Sequence, residues 1–259
     1  MIRGLYTSGW SMLAIEKKMD VVSNNMANVS TNGYKKDTVV LESFSSVLTK
    51  RIKDFDGTPA RARNIGTMEL GSDVGEVFTY YSQGQLTKTD NNLDMAISDS
   101  SSAFFTVAVP DEEGNVNAFY TRDGSFARSS SNTLVTKDGY TVLGENGPII
   151  LESGDFTVTE DGSVIQNDQV IDRLLITEFT DTTQLKKYGY NLIQADVDAQ
   201  TQEFSGTVRQ GYTELSNVNI VREMVDMITV MRSYEANQKV LQAQDSTLEK
   251  AVNEVGAVR

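Results

Sequence analysis

From Ser216 to Val255 one row of apolar side chains returns every seven residues: Ile220, Met227, Tyr234, Leu241, Leu248 and Val255. A companion row holds Met224, Met231 and Val252, interrupted by polar Gln238 and Asp245. No Pro or Gly falls between Asn217 and Val255, so the segment predicts one unbroken helix. At the rise of an α-helix this is a rod of roughly 55–60 Å, much longer than an ordinary globular helix. Ser216, Asn217 and Asn219 are all suitable N-caps. A stripe this long calls for a helical partner, and its polar members either set register or face another subunit.

The other end of the chain carries a weaker form of the same pattern. Over residues 3–29, Leu5, Met12, Met19 and Met26 form one row, and Ile15, Val22 and Val29 a second, with Ser8 as its polar member. An amphipathic helix resting on a globular core accounts for this segment alone as well as a helix seam does. Asn28 to Gly33 then ends the helix, because Asn and Gly tolerate the left-handed backbone that helix ends require.

Between the ends the texture changes. From Val74 to Gly211, short β-branched and aromatic runs such as Phe104 to Val109, Leu134 to Thr136 and Phe156 to Thr159 alternate with turn dipeptides. Those turns are Gly114-Asn115, Asp123-Gly124, Asp138-Gly139, Asn146-Gly147 and Asp161-Gly162. This spacing predicts an all-β domain. Residues 34–73 show no sustained period and hold Lys50, Arg51, Lys53, Arg61 and Arg63, which reads as a basic connecting arm, either solvated or facing acidic neighbours. The expected fold class is α+β. Residues 1–33 and 212–259 form a coiled-coil-like helical domain, 34–73 an irregular arm, and 74–211 a mainly antiparallel β-domain inserted between the helices.

Composition narrows the function. With 0 cysteines and 0 histidines, the chain offers no thiol nucleophile, no disulfide and no Cys or His zinc ligand, and it lacks the commonest general base. Its net charge of -13 opposes binding to nucleic acid. No apolar run approaches the roughly 20 residues of a membrane span, and polar groups throughout residues 1–20 do not read as a secretory signal. The carboxylates Asp90, Asp94, Asp111, Glu112 and Asp123 stand mostly at turn positions that Asp fills for backbone reasons. Asp111 to Asn115 lacks the ligand alternation of a calcium loop. Neither an enzyme nor a cofactor or metal site is expected.

Three ordered blocks carry a resemblance. Ser23-Asn-Asn-Met-Ala-Asn-Val-Ser-Thr-Asn-Gly-Tyr-Lys35 resembles the amino-terminal motif of flagellar rod and hook proteins, including Asn24, Asn25, Asn28 and Gly33. Ser216-Asn217-Val218-Asn219 and the residues to Ile228, continued by Arg232 to Asn237, resemble their carboxy-terminal motif. Gln83 to Leu86, Thr121 to Phe126 and Leu134 to Gly144 resemble their β-domain. Ser100-Ser-Ser-Ala103 departs from the Gly-x-Gly usual before Phe104-Phe105, and Met231 and Ser233 replace the commoner Gln and Ala. Length and the Met1-Ile-Arg start are most similar to the distal-rod branch, with the proximal-rod branch second.

The resemblance implies a structural subunit that forms a homopolymer and joins other rod proteins, the hook protein and surrounding ring proteins. It also implies export by the flagellar type III apparatus without a cleaved signal, and a place in the basal body outside the cytoplasmic membrane. A hook or other axial subunit is the nearest alternative. A secreted coiled-coil adhesin with a β-head fits the pattern but not the motif blocks.

Overall fold

The computed structural model describes residues 2–51, 63–69, 71–110 and 116–255. The chain divides into two compact units. One, the helical unit, comprises Met1–Asn24, Asp37–Phe78 and Val221–Arg259. The other, the β-unit, comprises Asn25–Lys36 and Thr79–Ile220. The segment 37–78 groups with the helices, and the turn after the first helix groups with the β-unit.

Helix α1 spans Ile2–Ala27 and helix α2 spans Ile220–Lys250, with one wider π-helical turn continuing over Ala251–Val255. Within the helical unit the two helices approach closely at Gly4, where a Cβ would lie 2.6 Å from Gln244 Nε2. The stretch expected as an irregular arm contains strands. Asp37–Ser43 pairs with Ser72–Thr79, and Val47–Arg51 pairs antiparallel with Arg63–Met68. Both pairings are two-stranded ribbons with wet faces: Val40, Leu41, Val47, Leu48 and Met68 are all exposed. Among the described side chains no strand there keeps an alternation of burial along its length, and the sequence shows no sustained one. One side chain does anchor this region, since the Trp10 ring meets Phe44 edge-on at 5.2 Å. The side chains of Lys50, Arg51, Lys53, Arg61 and Arg63 lie outside those described, as does the segment Asp111 to Asn115.

The β-unit is built on an antiparallel sheet whose central order is Leu185–Tyr188, Leu192–Ala195, Val116–Thr121, Ala103–Pro110, Thr141–Gly144, Leu134–Thr136 and Phe126–Arg128. Its middle strand, Ala103–Pro110, is covered on both faces, which is why Phe104-Phe-Thr-Val-Ala-Val109 reads as a continuous run rather than an alternation. Phe105 and Val107 point into the main core with Leu134, Val142 and Val164. Phe104 points the other way, into a smaller core with Tyr81, Phe179, Leu185 and Ile193. A three-stranded sheet of Thr157–Val158, Ser163–Gln166 and Gln169–Arg173 stands beside it. Two of the Asp-Gly turns behave as their composition demands: Gly139 and Gly162 have φ of 88° and 86°, in the left-handed region that glycine enters at little cost. Gly124 keeps a negative φ, and no turn forms at Asp123-Gly124.

Candidate functional site: a buried clamp and two helix faces

The motif blocks, scattered over the sequence, meet in the β-unit around one buried carboxylate. Glu214, on the strand Tyr212–Glu214, is 1% exposed. Its Oε1 accepts from Lys35 Nζ at 2.6 Å and from the backbone N–H of Gly84 at 2.7 Å. Its Oε2 accepts from Arg122 Nε at 2.6 Å. Three more guanidinium protons of Arg122 go to the carbonyls of Ile97, Ser100 and Ala103, and its central carbon lies over the Phe104 ring. Lys35 Nζ also donates to Ser82 O at 2.9 Å. Two cations thus share one anion, and backbone carbonyl dipoles supply the rest of the compensation that a buried charge requires.

The electrostatics follow from that imbalance. Burial disfavours the charged ammonium of Lys35 and lowers its pKa from 10.5 to about 8, against the pull of Glu214 and with the repulsion of Arg122. Burial also opposes the charge on Glu214, but Arg122 and Lys35 override it and hold its pKa below the ordinary glutamate value.

Around this clamp the motif asparagines tie down the backbone. Asn217 Nδ2 donates to Tyr80 O at 2.8 Å and to Ser82 O at 3.1 Å, while its Oδ1 accepts from the Lys36 N–H at 2.7 Å. Asn25 Oδ1 accepts from Tyr34 Oη at 3.2 Å, and Asn28 Oδ1 from Thr31 Oγ1 at 3.2 Å. Ser216 Oγ accepts from the Val218 N–H, 3.3 Å away. Gly33 donates its N–H to Glu214 O at 2.8 Å. Gly33 has φ of 70°, and a Cβ there would come 2.4 Å from the Asp123 backbone nitrogen. That position therefore excludes every other residue type on two separate grounds. Val218 is buried, whereas Asn24 and Asn219 are exposed.

The seam residues fall on the less exposed face of α1 and on two faces of α2. On α1, Val22 is buried and Leu5, Met12, Ile15, Met19 and Met26 are half-buried, while Tyr6, Trp10 and Leu13 form an exposed apolar row. On α2, Met227, Tyr234, Leu241 and Leu248 are half-buried. Their inward companions are Glu223, Val230, Asn237 and Gln244, three places on from the main row rather than four. Ile220, Met224 and Met231 lie exposed beside Val221, Val225 and Ile228. The side chain of Val255 is outside those described.

Sequence reasoning singled out the motif asparagines but not Lys35, Arg122 and Glu214 as a unit. The signal was present: Lys35 closes the first block, Arg122 sits in Thr121 to Phe126, and Glu214 stands two residues before Ser216. Only the fold shows that the three meet.

Among the described residues, no group of three or more His, Cys, Asp or Glu side chains is placed to hold a metal ion. No described helix is long and apolar enough to cross a membrane. An inserted β-domain clamped where the chain enters and leaves it, with helices whose apolar faces stay uncovered, defines an α+β subunit of a larger assembly.

Comparison with known proteins says which assembly. Residues 5–35 match the family described as flagella basal body rod protein. Residues 100–171 match the flagellar hook protein FlgE/F/G D1 domain, and residues 209–254 the flagellar basal body rod FlgEFG protein C-terminal. The flagellar basal-body rod protein FlgG of Buchnera aphidicola (subsp. Schizaphis graminum) is 36% identical, with 96% of this chain and 98% of that protein covered. FlgG of Borreliella burgdorferi is 32% identical with 98% of each covered. The flagellar hook-basal body complex protein FlhO of Bacillus subtilis is 30% identical over the whole of both. The chain belongs to the flagellar rod and hook family and is a structural subunit of the basal-body rod.

Proposed function

We propose that this subunit builds the distal part of the rod by helical stacking, with α1 and α2 packing coiled-coil-like against each other and against second copies of the chain. The observation that carries this is the apolar row left exposed on α2: Ile220, Val221, Met224, Val225, Ile228 and Met231, each between 41% and 68% exposed. Covering what remains open on six such side chains is worth roughly 5–10 kcal/mol, enough to hold neighbours once several copies surround each helix. The half-buried row of Met227, Tyr234, Leu241 and Leu248 supplies the seam within the helical unit, and Tyr6, Trp10 and Leu13 extend the outward surface on α1.

In this reading the chain catalyses nothing and needs no cofactor. It meets proximal rod proteins on one side, the hook protein on the other and the ring proteins around it, after export by the type III apparatus. The test is assembly by the Val225→Asp and Ile228→Asp variants, followed by electron microscopy and sedimentation. Both side chains are exposed, so the monomer should keep its circular dichroism spectrum while polymer disappears. Leu241→Asp should likewise block assembly and leave the β-unit folded. Normal polymers from all of these variants would remove the helix faces from the mechanism. Labelled protein found in the proximal segment of purified basal bodies would overturn the distal assignment.

A further inference from the structure

We infer that the clamp makes folding of the β-unit conditional on its last strands, so that the segments around Arg122 between residues 95 and 122 do not close on one another until Glu214 has arrived. Arg122 is enclosed by the carbonyls of Ile97, Ser100 and Ala103, all from the first half of the unit. The carboxylate that balances it comes from a residue 92 positions later, and Lys35 reaches the same carboxylate from 179 positions away. Closing the early segments alone would bury a guanidinium with dipoles around it and no counter-ion.

Strand pairing imposes the same order. Met95–Ser98, whose Ile97 carbonyl faces Arg122, pairs with Thr207–Gln210, and Leu86–Lys88 pairs with Tyr212–Glu214. The early strands thus gain their partners and their counter-charge in one event. Gly84 marks how close the final approach is: a Cβ there would lie 1.9 Å from Leu215 O. Backbone must meet backbone at that point, where the Leu215 N–H also donates to Gln85 O at 2.9 Å. The inference concerns the isolated chain and does not depend on how it assembles.

Folding kinetics of the full chain test it. Glu214→Gln should slow refolding by about tenfold or more while changing the unfolding rate by less than about threefold, because the clamp would already be formed in the transition state. A variant that unfolds faster with refolding unchanged would place the clamp after the barrier and overturn the inference. Pulse-labelled hydrogen exchange on the unaltered chain gives a second reading that needs no variant. Amides of Phe104 to Val109 and Ala118 to Thr121 should gain protection in the same phase as Val208 and Thr213. Protection of the first set in an earlier, separate phase would equally refute it.

Discussion

Single atoms decide much at Gly33 and Lys35. Gly33→Ala would add a methyl against the Asp123 backbone while holding a left-handed φ of 70°. Strain and overpacking together should cost about 2–4 kcal/mol, read as a lower urea midpoint for the β-unit. Lys35 gives a pH signature of unusual sign. Its pKa is about 8 in the fold and about 10.5 when exposed, so between these values the unfolded chain binds the extra proton. Stability from this group therefore rises with pH across that window, by up to about 1.4 kcal/mol per pH unit. Glu214 acts at the other end: its depressed pKa contributes stability that is lost as the solution becomes acidic. Comparing wild type with Lys35→Met by denaturant melts from pH 7.5 to 10 isolates the lysine effect, and parallel curves would refute it.

At the scale of elements, α2 carries its information on three rows rather than two. The seven-residue row was legible in the sequence because Met227, Tyr234, Leu241 and Leu248 are apolar. Its inward companion was not, because Glu223, Asn237 and Gln244 are polar and hydrophobic periodicity passes over them. Gln244 even buries an Oε1 with no hydrogen-bond partner. Gln244→Leu should then stabilise the helical unit by about 1 kcal/mol in a thermal melt followed at a helical wavelength, while loosening the register that a polar seam residue imposes. The β-turns were legible for a local reason: Asp138-Gly139 and Asp161-Gly162 encode their own conformation. The turn at Asn167-Asp168, with φ of 54° and 60°, was missed because it lacks glycine. The ribbons of 37–79 escaped notice because their apolar residues follow no sustained period, and the clamp because its partners lie far apart in sequence.

For the molecule as a whole, burial is distributed unevenly. Among the described residues of α2, Glu223 and Val230 are the buried ones in a helix of 31, whereas the β-unit holds two apolar cores. Local stability follows buried contact, so the free subunit should exchange amide hydrogens rapidly over residues 220–248 and slowly over the central sheet. Assembly should reverse the first and leave the second. Hydrogen exchange on monomer and polymer checks this, and strong protection of 220–248 in the monomer would contradict it.

The chain passes between its two units four times, after residues 24, 36, 78 and 220. A load passed from one unit to the other is therefore divided among four covalent links rather than one or two. Asn217 splices three of them, holding Lys36 and Tyr80 from beside the last crossing, while the Tyr80 N–H bonds Lys36 O at 2.8 Å. A pull on any of these three links should thereby reach the other two through one asparagine side chain before it reaches the sheet.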